Sequence, residues 1–175
     1  MMQQIQLAAA LSALSAAASV ALAANAAHAA VGQPEEHHAV VGNVEPGPTI
    51  EAHGAYSFDP TYGMGFGGRL GYTLRQGIYL GGAVNHFVGA AGAPEQTLLG
   101  GDVGLKIFPT ENLEIRPYGF AGDAISSAGN KGLAVAPGGL VAYHFGPLFV
   151  DADARYMVTP APKVFLLMGG AGLGF

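Results

Sequence analysis

Apolar side chains alternate with small or polar ones along most of the chain within 49–175. In the segment 50–58, the even positions are apolar or small, whereas Glu51 and His53 lie at odd positions. Successive side chains of a β-strand point to opposite faces, so a period of two predicts strands. Eight such segments follow one another, and no stretch among them shows the period of an amphipathic helix.

For two of these segments, the alternation does not show which face of the strand points inward. In the segment 77–88, apolar residues occupy both registers, because Tyr79 and Phe87 lie opposite the aliphatic positions. In the fifth segment, Pro117 lacks the N–H that a β-ladder needs. It therefore predicts a bulge or a change of register before Tyr118.

The connections between the segments alternate in character. Tight turns are predicted at 75–77, 109–112 and 146–147, whereas 89–96, 126–132 and 159–162 are longer or rich in Pro and Gly. Short turns at one end of a meander and mostly longer loops at the other are typical of outer-membrane barrels. The sequence therefore predicts an all-β fold, an eight-stranded antiparallel up-and-down transmembrane β-barrel.

The composition favours a membrane barrel over a water-exposed one. Only 11% of the residues are charged, whereas a soluble domain carries about 25%. The less apolar face of the segments is mainly Gly and Ala with isolated charges, which suits a crowded interior. A soluble periplasmic lipocalin-like binding barrel also alternates and stays open as an alternative. The net charge of -5 argues against a nucleic-acid partner.

Aromatic residues on the apolar faces lie towards the ends of the segments. Membrane barrels place Tyr and Phe in this way, in girdles at the two membrane interfaces. The predicted girdle residues are Tyr56, Phe58, Tyr62, Tyr72, Tyr143, Phe145, Tyr156 and Phe175.

The charged residues of the predicted strands fall on the less apolar face. Buried charges are tolerated only when they are paired and hydrogen-bonded. Five acids and five bases face inward, so we predict a neutral interior ion-pair network rather than an acid/base or cation site. The acids are Glu51, Asp102, Glu114, Asp151 and Asp153, and the bases are Arg69, Arg75, Lys106, Arg116 and Arg155.

The amino-terminal part of the chain predicts export. Residues 1–29 form an uncharged run rich in Ala, Leu and Val, the pattern of a signal peptide cleaved after Ala29. Residues 30–48 are rich in Pro, Gly and acids, which predicts a flexible periplasmic leader. The acids and histidines at 35–38 are interpreted as a solvated tail rather than a metal site. The barrel is predicted to occupy 49–175.

Two features resemble the small eight-stranded outer-membrane barrels of the outer-membrane protein A and X type: the strand entry Arg116-Pro117-Tyr118 and the closing GGAGLGF with its terminal Phe175. The resemblance covers 49–175. It implies a place in the outer membrane of a Gram-negative bacterium, in contact with outer-membrane lipids and lipopolysaccharide. It also implies a carboxy-terminal signal recognised by the barrel assembly machinery. The matching positions are Leu167, Ala171, Leu173 and Phe175, with Gly169 the weakest match.

The sequence predicts no catalytic residue, cofactor or metal site. The glycines at 63–68 match G-x-G-x-x-G, but a dinucleotide site needs a following helix, and none follows. One enzymatic alternative stays open, because His86, Asp123 and Ser126 lie near the predicted outer rim. An outer-leaflet lipid hydrolase acting on lipid A would need a base, an orienting acid and a nucleophile there. The other interpretation is a polar rim that contacts lipopolysaccharide headgroups.

The predicted role is therefore that of a small integral outer-membrane protein rather than an enzyme. The interior of an eight-stranded barrel is just wide enough for its own side chains, so general porin conduction is not expected. The inward Gly and Ala residues leave room for a narrow, charge-lined water path. The sequence thus indicates either a structural, membrane-integrity role or a narrow channel.

Overall fold

The computed structural model describes residues 44–59, 61–89, 92–159 and 163–175. The predicted signal peptide at 1–29, the residues at 35–38 and most of the predicted leader at 30–48 lie outside these ranges. The first strand begins at Gly47, slightly before the predicted start of the barrel at Thr49. The last residues assigned to the leader are therefore already paired within the sheet.

Eight antiparallel strands form one closed barrel. Each strand pairs with the next along the chain, and the last pairs with the first, which confirms the predicted topology. Among the described residues, no helix is long and apolar enough to cross a membrane. The strands are β1 (Gly47–Ser57), β2 (Met64–Thr73), β3 (Ile78–Val88), β4 (Gln96–Leu105), β5 (Leu113–Ser126), β6 (Lys131–Phe145), β7 (Leu148–Met157) and β8 (Val164–Gly174).

Exposed and buried positions alternate along the strands. In β1, Ile50, Ala52 and Tyr56 are exposed on the outer surface. Between them, Glu51 and His53 are buried in the barrel interior. The large apolar side chains thus cover the outside of the barrel, and the predicted charges of β1 lie inside.

The facing of β3 follows from its two aromatic rings. Tyr79 and Phe87 are 1% and 0% exposed and point into the lumen, whereas Leu80 is exposed on the outer surface. The Tyr79 ring fits because Gly71 and Gly81, which lie opposite each other in β2 and β3, carry no side chain. A Cβ added at Gly81 would lie 2.5 Å from the Tyr79 hydroxyl oxygen. Glycine on the inward face therefore makes room for a large neighbour.

The assignment of Tyr62 to the aromatic girdle is wrong. Tyr62 lies in the loop between β1 and β2 and is 1% exposed, with its ring edge-on to Phe87 at 5.3 Å between centroids. Burial raises the pKa of its hydroxyl. The alternation of β2 begins only at Met64, so the parity of that strand does not extend back to Tyr62. The other predicted girdle residues are exposed on the outer surface.

Pro117 causes no bulge, which corrects the predicted change of register. The ladder between β4 and β5 pairs Gly104 with Tyr118, and a bridge beyond the proline joins Ile107 to Ile115. Both pairs keep the same register, so the missing N–H removes a ladder hydrogen bond without adding a residue. Tyr118 consequently points into the lumen.

The two ends of the barrel differ. At one, the turn end, Gly77 and Gly146 adopt φ angles of 78° and 68° in the β2–β3 and β6–β7 turns. These left-handed values favour glycine because it has no Cβ. The carboxy terminus lies at the same end, where the Phe175 N–H donates to the Pro48 carbonyl at 3.0 Å. The opposite end carries the β1–β2, β3–β4, β5–β6 and β7–β8 connections and is called the loop end.

The lumen as the candidate functional site

Inward charges meet around a single arginine at the middle of the barrel. Arg69 Nη1 lies 3.1 Å from Glu51 Oε2, and Arg69 Nη2 lies 2.7 Å from Asp153 Oδ2. Its Nε lies 2.8 Å from Asp102 Oδ2, an ion-pair distance without the alignment of a hydrogen bond. One guanidinium on β2 thus contacts carboxylates from β1, β4 and β7. The central cluster consists of Glu51, Arg69, Asp102, Tyr118, Asp153 and Arg155.

Asp153 connects the two arginines of the central cluster. The Tyr118 hydroxyl donates to both Asp153 oxygens, at 2.5 and 2.7 Å. Arg155 Nη2 lies 3.4 Å from Asp153 Oδ2. The guanidinium carbons of Arg69 and Arg155 also lie 5.2 and 5.3 Å from the centroid of the Tyr118 ring. A cation within about 6 Å of an aromatic face is attracted to it, so Tyr118 stabilises two like charges in a small volume.

A second group of charges surrounds Glu114 near the turn end. The Glu114 carboxylate contacts Arg116 Nε at 2.6 Å, His144 Nε2 at 2.9 Å and Lys106 Nζ at 3.4 Å. The Arg116 guanidinium lies over the Tyr79 ring, 4.2 Å from its centroid. The turn-end cluster consists of Tyr79, Lys106, Glu114, Arg116 and His144.

Two of the predicted network residues stand apart. Arg75 is exposed in the turn between β2 and β3, because β2 ends at Thr73 and its inward face does not continue into the turn. Asp151 points inward, but neither of its buried oxygens has a hydrogen-bond partner among the described residues. Among the described residues, the lumen therefore holds five acids and four bases rather than five of each. The acids are Glu51, Asp102, Glu114, Asp151 and Asp153, and the bases are Arg69, Lys106, Arg116 and Arg155.

Sequence reasoning missed several neutral or titratable partners in the lumen. His53, Asn85 and His144 contact charged or polar inward groups, and Tyr79 and Tyr118 lie beside arginines. An analysis of formal charge overlooks these side chains. Their signal was positional, since each shares the inward parity of its strand with buried neighbours.

Apolar side chains fill the lumen between the central cluster and the loop end. Phe87, Leu98 and Leu166 are fully buried, and Met157 lies with them. Tyr62 covers Phe87 from the β1–β2 loop. Since an eight-stranded barrel is just wide enough for its side chains, rings and aliphatic groups occupy the space through which water would otherwise pass.

The residues of the hydrolase alternative do not form a catalytic arrangement. His86 points outward near the loop end, with Nδ1 3.1 Å from Thr97 Oγ1 and Nε2 3.8 Å from Glu95 Oε2. Ser126 is buried, and its hydroxyl accepts a hydrogen bond from Gln96 Nε2 at 3.2 Å. The expected nucleophile and the expected base therefore contact different partners, and no proton transfer between them follows from this geometry.

Comparison with known proteins identifies the fold. No protein-family model and no curated protein sequence matches the chain. Among solved structures, the N-terminal β-barrel domain of Pseudomonas aeruginosa OprF matches 74% of this chain and 97% of its own, with 23% identity and a TM-score of 0.55. The Yersinia pestis outer membrane protein Ail, in a phospholipid bilayer nanodisc, covers 75% and 100% with 17% identity and a TM-score of 0.51.

A designed protein shares the same architecture. A de novo transmembrane β-barrel matches 74% of this chain and 95% of its own, with 14% identity and a TM-score of 0.50. The chain thus has the fold of the small eight-stranded outer-membrane β-barrels. Because a designed sequence adopts this fold too, the fold alone does not define an activity.

Removal of the shared cation should destabilise the barrel strongly. Arg69→Met leaves three buried carboxylates without their common partner, and breaking a buried ion pair in this way costs about 3–5 kcal/mol. Arg69→Lys should cost less, because it keeps the charge but loses the planar fork. Urea unfolding in detergent micelles measures both losses.

Arg75→Met is the matched control for this experiment. Arg75 is exposed in a turn, so its removal should change the free energy of unfolding by no more than about 0.5 kcal/mol. Equal losses for Arg69→Met and Arg75→Met would contradict the role assigned to Arg69.

Proposed function

We propose that the protein is an integral outer-membrane protein with a structural, membrane-integrity role and a lumen that does not conduct. The filled lumen is the observation that carries this proposal. Arg116, Arg155, Phe87 and Phe120 are at most 1% exposed, and they occupy the interior from the turn end to the loop end. Of the two roles expected from the sequence, this packing favours the structural one over the narrow channel.

The outer surface supports a place in the outer membrane. Exposed aromatic rings cluster at both ends: Tyr56 contacts Phe58 at 5.3 Å between ring centroids at the loop end, and Tyr143 contacts Phe145 at 4.9 Å at the turn end. Apolar side chains such as Val84 cover the surface between them. Such a band with aromatic borders matches the hydrocarbon layer and its interfaces. In this proposal the protein belongs to a Gram-negative bacterium and is exported through the predicted signal peptide. Its outer surface would then contact membrane lipids and lipopolysaccharide.

A planar lipid bilayer recording tests whether the lumen is closed. The refolded wild-type protein should give no discrete conductance steps, because buried rings and arginines block the path. Phe87→Ala combined with Leu98→Ala removes two side chains that fill the loop half of the lumen. This variant shows whether the assay detects an opened barrel. Regular conductance steps from the wild-type protein would reject the structural proposal in favour of the channel.

The carboxy-terminal strand supports recognition by the barrel assembly machinery. Leu167, Ala171, Leu173 and Phe175 all lie on the outer surface of the barrel. Phe175 is 72% exposed, so its ring contributes little to the packing of the folded barrel. We propose that the barrel assembly machinery recognises this outward row of side chains during assembly. Such recognition explains the aromatic residue at position 175, which makes few contacts within the folded barrel.

Phe175→Ala separates recognition from stability. The amount of assembled barrel in the outer membrane should fall several-fold, while the purified, refolded variant should unfold at the same urea concentration as the wild type. Phe145→Ala is the matched control, since Phe145 is an exposed aromatic at the same end, 58% exposed. Equal assembly of Phe175→Ala and Phe145→Ala would argue against the signal.

A further inference from the structure

The loop-end border of the outer surface is divided into two halves. Four neighbouring strands, β7, β8, β1 and β2, carry exposed aromatic rings there: Tyr156, Phe165, Tyr56 and Phe66. Phe58, which follows β1, adds another exposed ring and stacks on Phe165 at 6.3 Å between ring centroids. These five residues form the aromatic half of the border.

The other four strands carry polar side chains at this border instead of rings. Among the described residues, no aromatic side chain points outward in the loop-end part of β3, β4, β5 or β6. The outward side chains there include an imidazole, a hydroxyl, a carboxylate and an ammonium group. They belong to His86, Thr97, Asp123 and Lys131 and form the polar half of the border.

The turn end shows no such division. Exposed rings lie there on opposite sides of the barrel, Tyr72 on β2 and Tyr143 on β6. The strand β6 thus carries a ring near its turn end and Lys131 at its loop end. The polar half therefore belongs to one border of the outer surface and does not extend along one whole side of the barrel.

Rows of paired residues climb around the barrel because the strands are tilted. One row starts at Gly47 of β1, passes through all eight strands and returns to β1 at Ser57, ten positions nearer the loop end. A closed barrel of tilted strands requires such a stagger. A row that is followed from β1 towards β8 therefore comes steadily closer to the loop end.

This climb places Asp123 level with the aromatic half. One climbing row contains Phe66, His86, Thr97 and Ile125, which pair in succession. Asp123 lies two residues from Ile125 on β5, towards the turn end, and this step offsets the climb from β3 to β5. Asp123 is therefore at about the height of His86, whose ring lies 5.5 Å from the Phe66 ring between centroids.

Asp123 and Lys131 are charges without a partner at this border. Lys131 lies opposite Ile125 in the ladder and is therefore further out than Asp123. Both side chains are exposed, and neither forms an ion pair or a side-chain hydrogen bond within the described part of the chain. A charge on the lipid-facing side of a barrel is costly at the midplane of the bilayer and costs little near its surface. The depth of Asp123 is therefore expected to be that of the lipid headgroups.

We propose that the polar half binds the phosphorylated sugar headgroup of lipopolysaccharide. This inference rests on the proposed function, in which the turn end faces the periplasm and the loop end lies in the outer leaflet. The Lys131 ammonium group pairs with a phosphate. Nearer the hydrocarbon, the Asp123 carboxylate accepts hydrogen bonds from sugar hydroxyls, and the Thr97 hydroxyl both donates and accepts.

The opposite charges of the polar half favour a sugar headgroup over a phosphate alone. A site for phosphate alone would be basic throughout, whereas this one contains the Asp123 carboxylate. A second carboxylate is close by, because Glu95 Oε2 lies 3.8 Å from His86 Nε2. Carboxylates accept hydrogen bonds and repel phosphate. A headgroup that carries hydroxyl groups as well as phosphate satisfies both kinds of side chain.

Lysine amide NMR of the wild-type protein tests the location of the site. The chain has three lysines: Lys106 is buried near the turn end, Lys131 lies in the polar half, and Lys163 is exposed just before β8, beside the aromatic half. With 15N-labelled lysine in neutral detergent micelles, added lipopolysaccharide should shift the Lys131 signal and leave the other two in place. Equal shifts at Lys131 and Lys163 would overturn the proposal.

Phosphatidic acid separates the phosphate from the sugar. This lipid carries a phosphate headgroup without a sugar, so at the same mole fraction it should shift the Lys131 signal less than lipopolysaccharide does. An equal shift would overturn recognition of a sugar headgroup.

Two substitutions test the roles of the charges. Lys131→Gln and Asp123→Asn should each raise several-fold the ratio of lipopolysaccharide to detergent at half-saturation, measured from the His86 amide signal. Lys163→Gln is the matched control, because it removes an exposed lysine at the same end of the barrel, and it should keep the wild-type ratio. A wild-type ratio for both Lys131→Gln and Asp123→Asn would contradict the site.

Failure of this inference is distinguishable from failure of the proposed function. A protein that stays with the membranes in high salt and does not conduct, but whose Lys131 signal ignores lipopolysaccharide, would lose the headgroup site alone. A protein that conducts or leaves the membranes would contradict the proposed function itself, whatever the micelle titration gives.

Discussion

Hydrocarbon offers no hydrogen-bond partner to a peptide group, and the closed sheet is an architecture that meets this constraint. Inside a bilayer, strands satisfy their backbone only by closing into a barrel without free edges. Here β8 pairs with β1 from Leu166 opposite Ser57 to Gly174 opposite Thr49, and this ladder closes the sheet. Closure gives every strand one face on the outer surface and one face in the lumen. The apolar outside and the charged inside are two consequences of the same pairing.

The narrow lumen imposes two further requirements on the side chains inside it. It must be filled, and it must be close to neutral, because water cannot screen charges there. Gly71 and Gly81 make room for the Tyr79 ring, and Arg69 contacts carboxylates from three strands. Buried ion pairs of this kind contribute little net stability relative to an apolar core. The clusters are therefore best understood as the arrangement that lets charged side chains be buried.

The sequence predicted the strands and their topology well, because alternation is a local property that each segment carries by itself. It failed where the chain leaves the strand: Tyr62 and Arg75 were placed by extending the parity of β2 into the loop and the turn beside it. The prediction at Pro117 was wrong for a different reason. The missing N–H of a proline predicted a bulge, but the residue pairs on either side of Pro117 keep one register. The partners within the lumen depend on which strands face each other across the barrel, and no local pattern contains that information.

Gel mobility of the washed outer-membrane fraction, boiled and unboiled, tests most directly whether the chain is a closed membrane barrel. Closed membrane barrels resist unfolding in detergent until they are heated. The protein should remain with the membranes after washing in high salt, and its band should shift on boiling. A protein that leaves the membranes in high salt and shows no shift would contradict the membrane barrel and would indicate a water-exposed one.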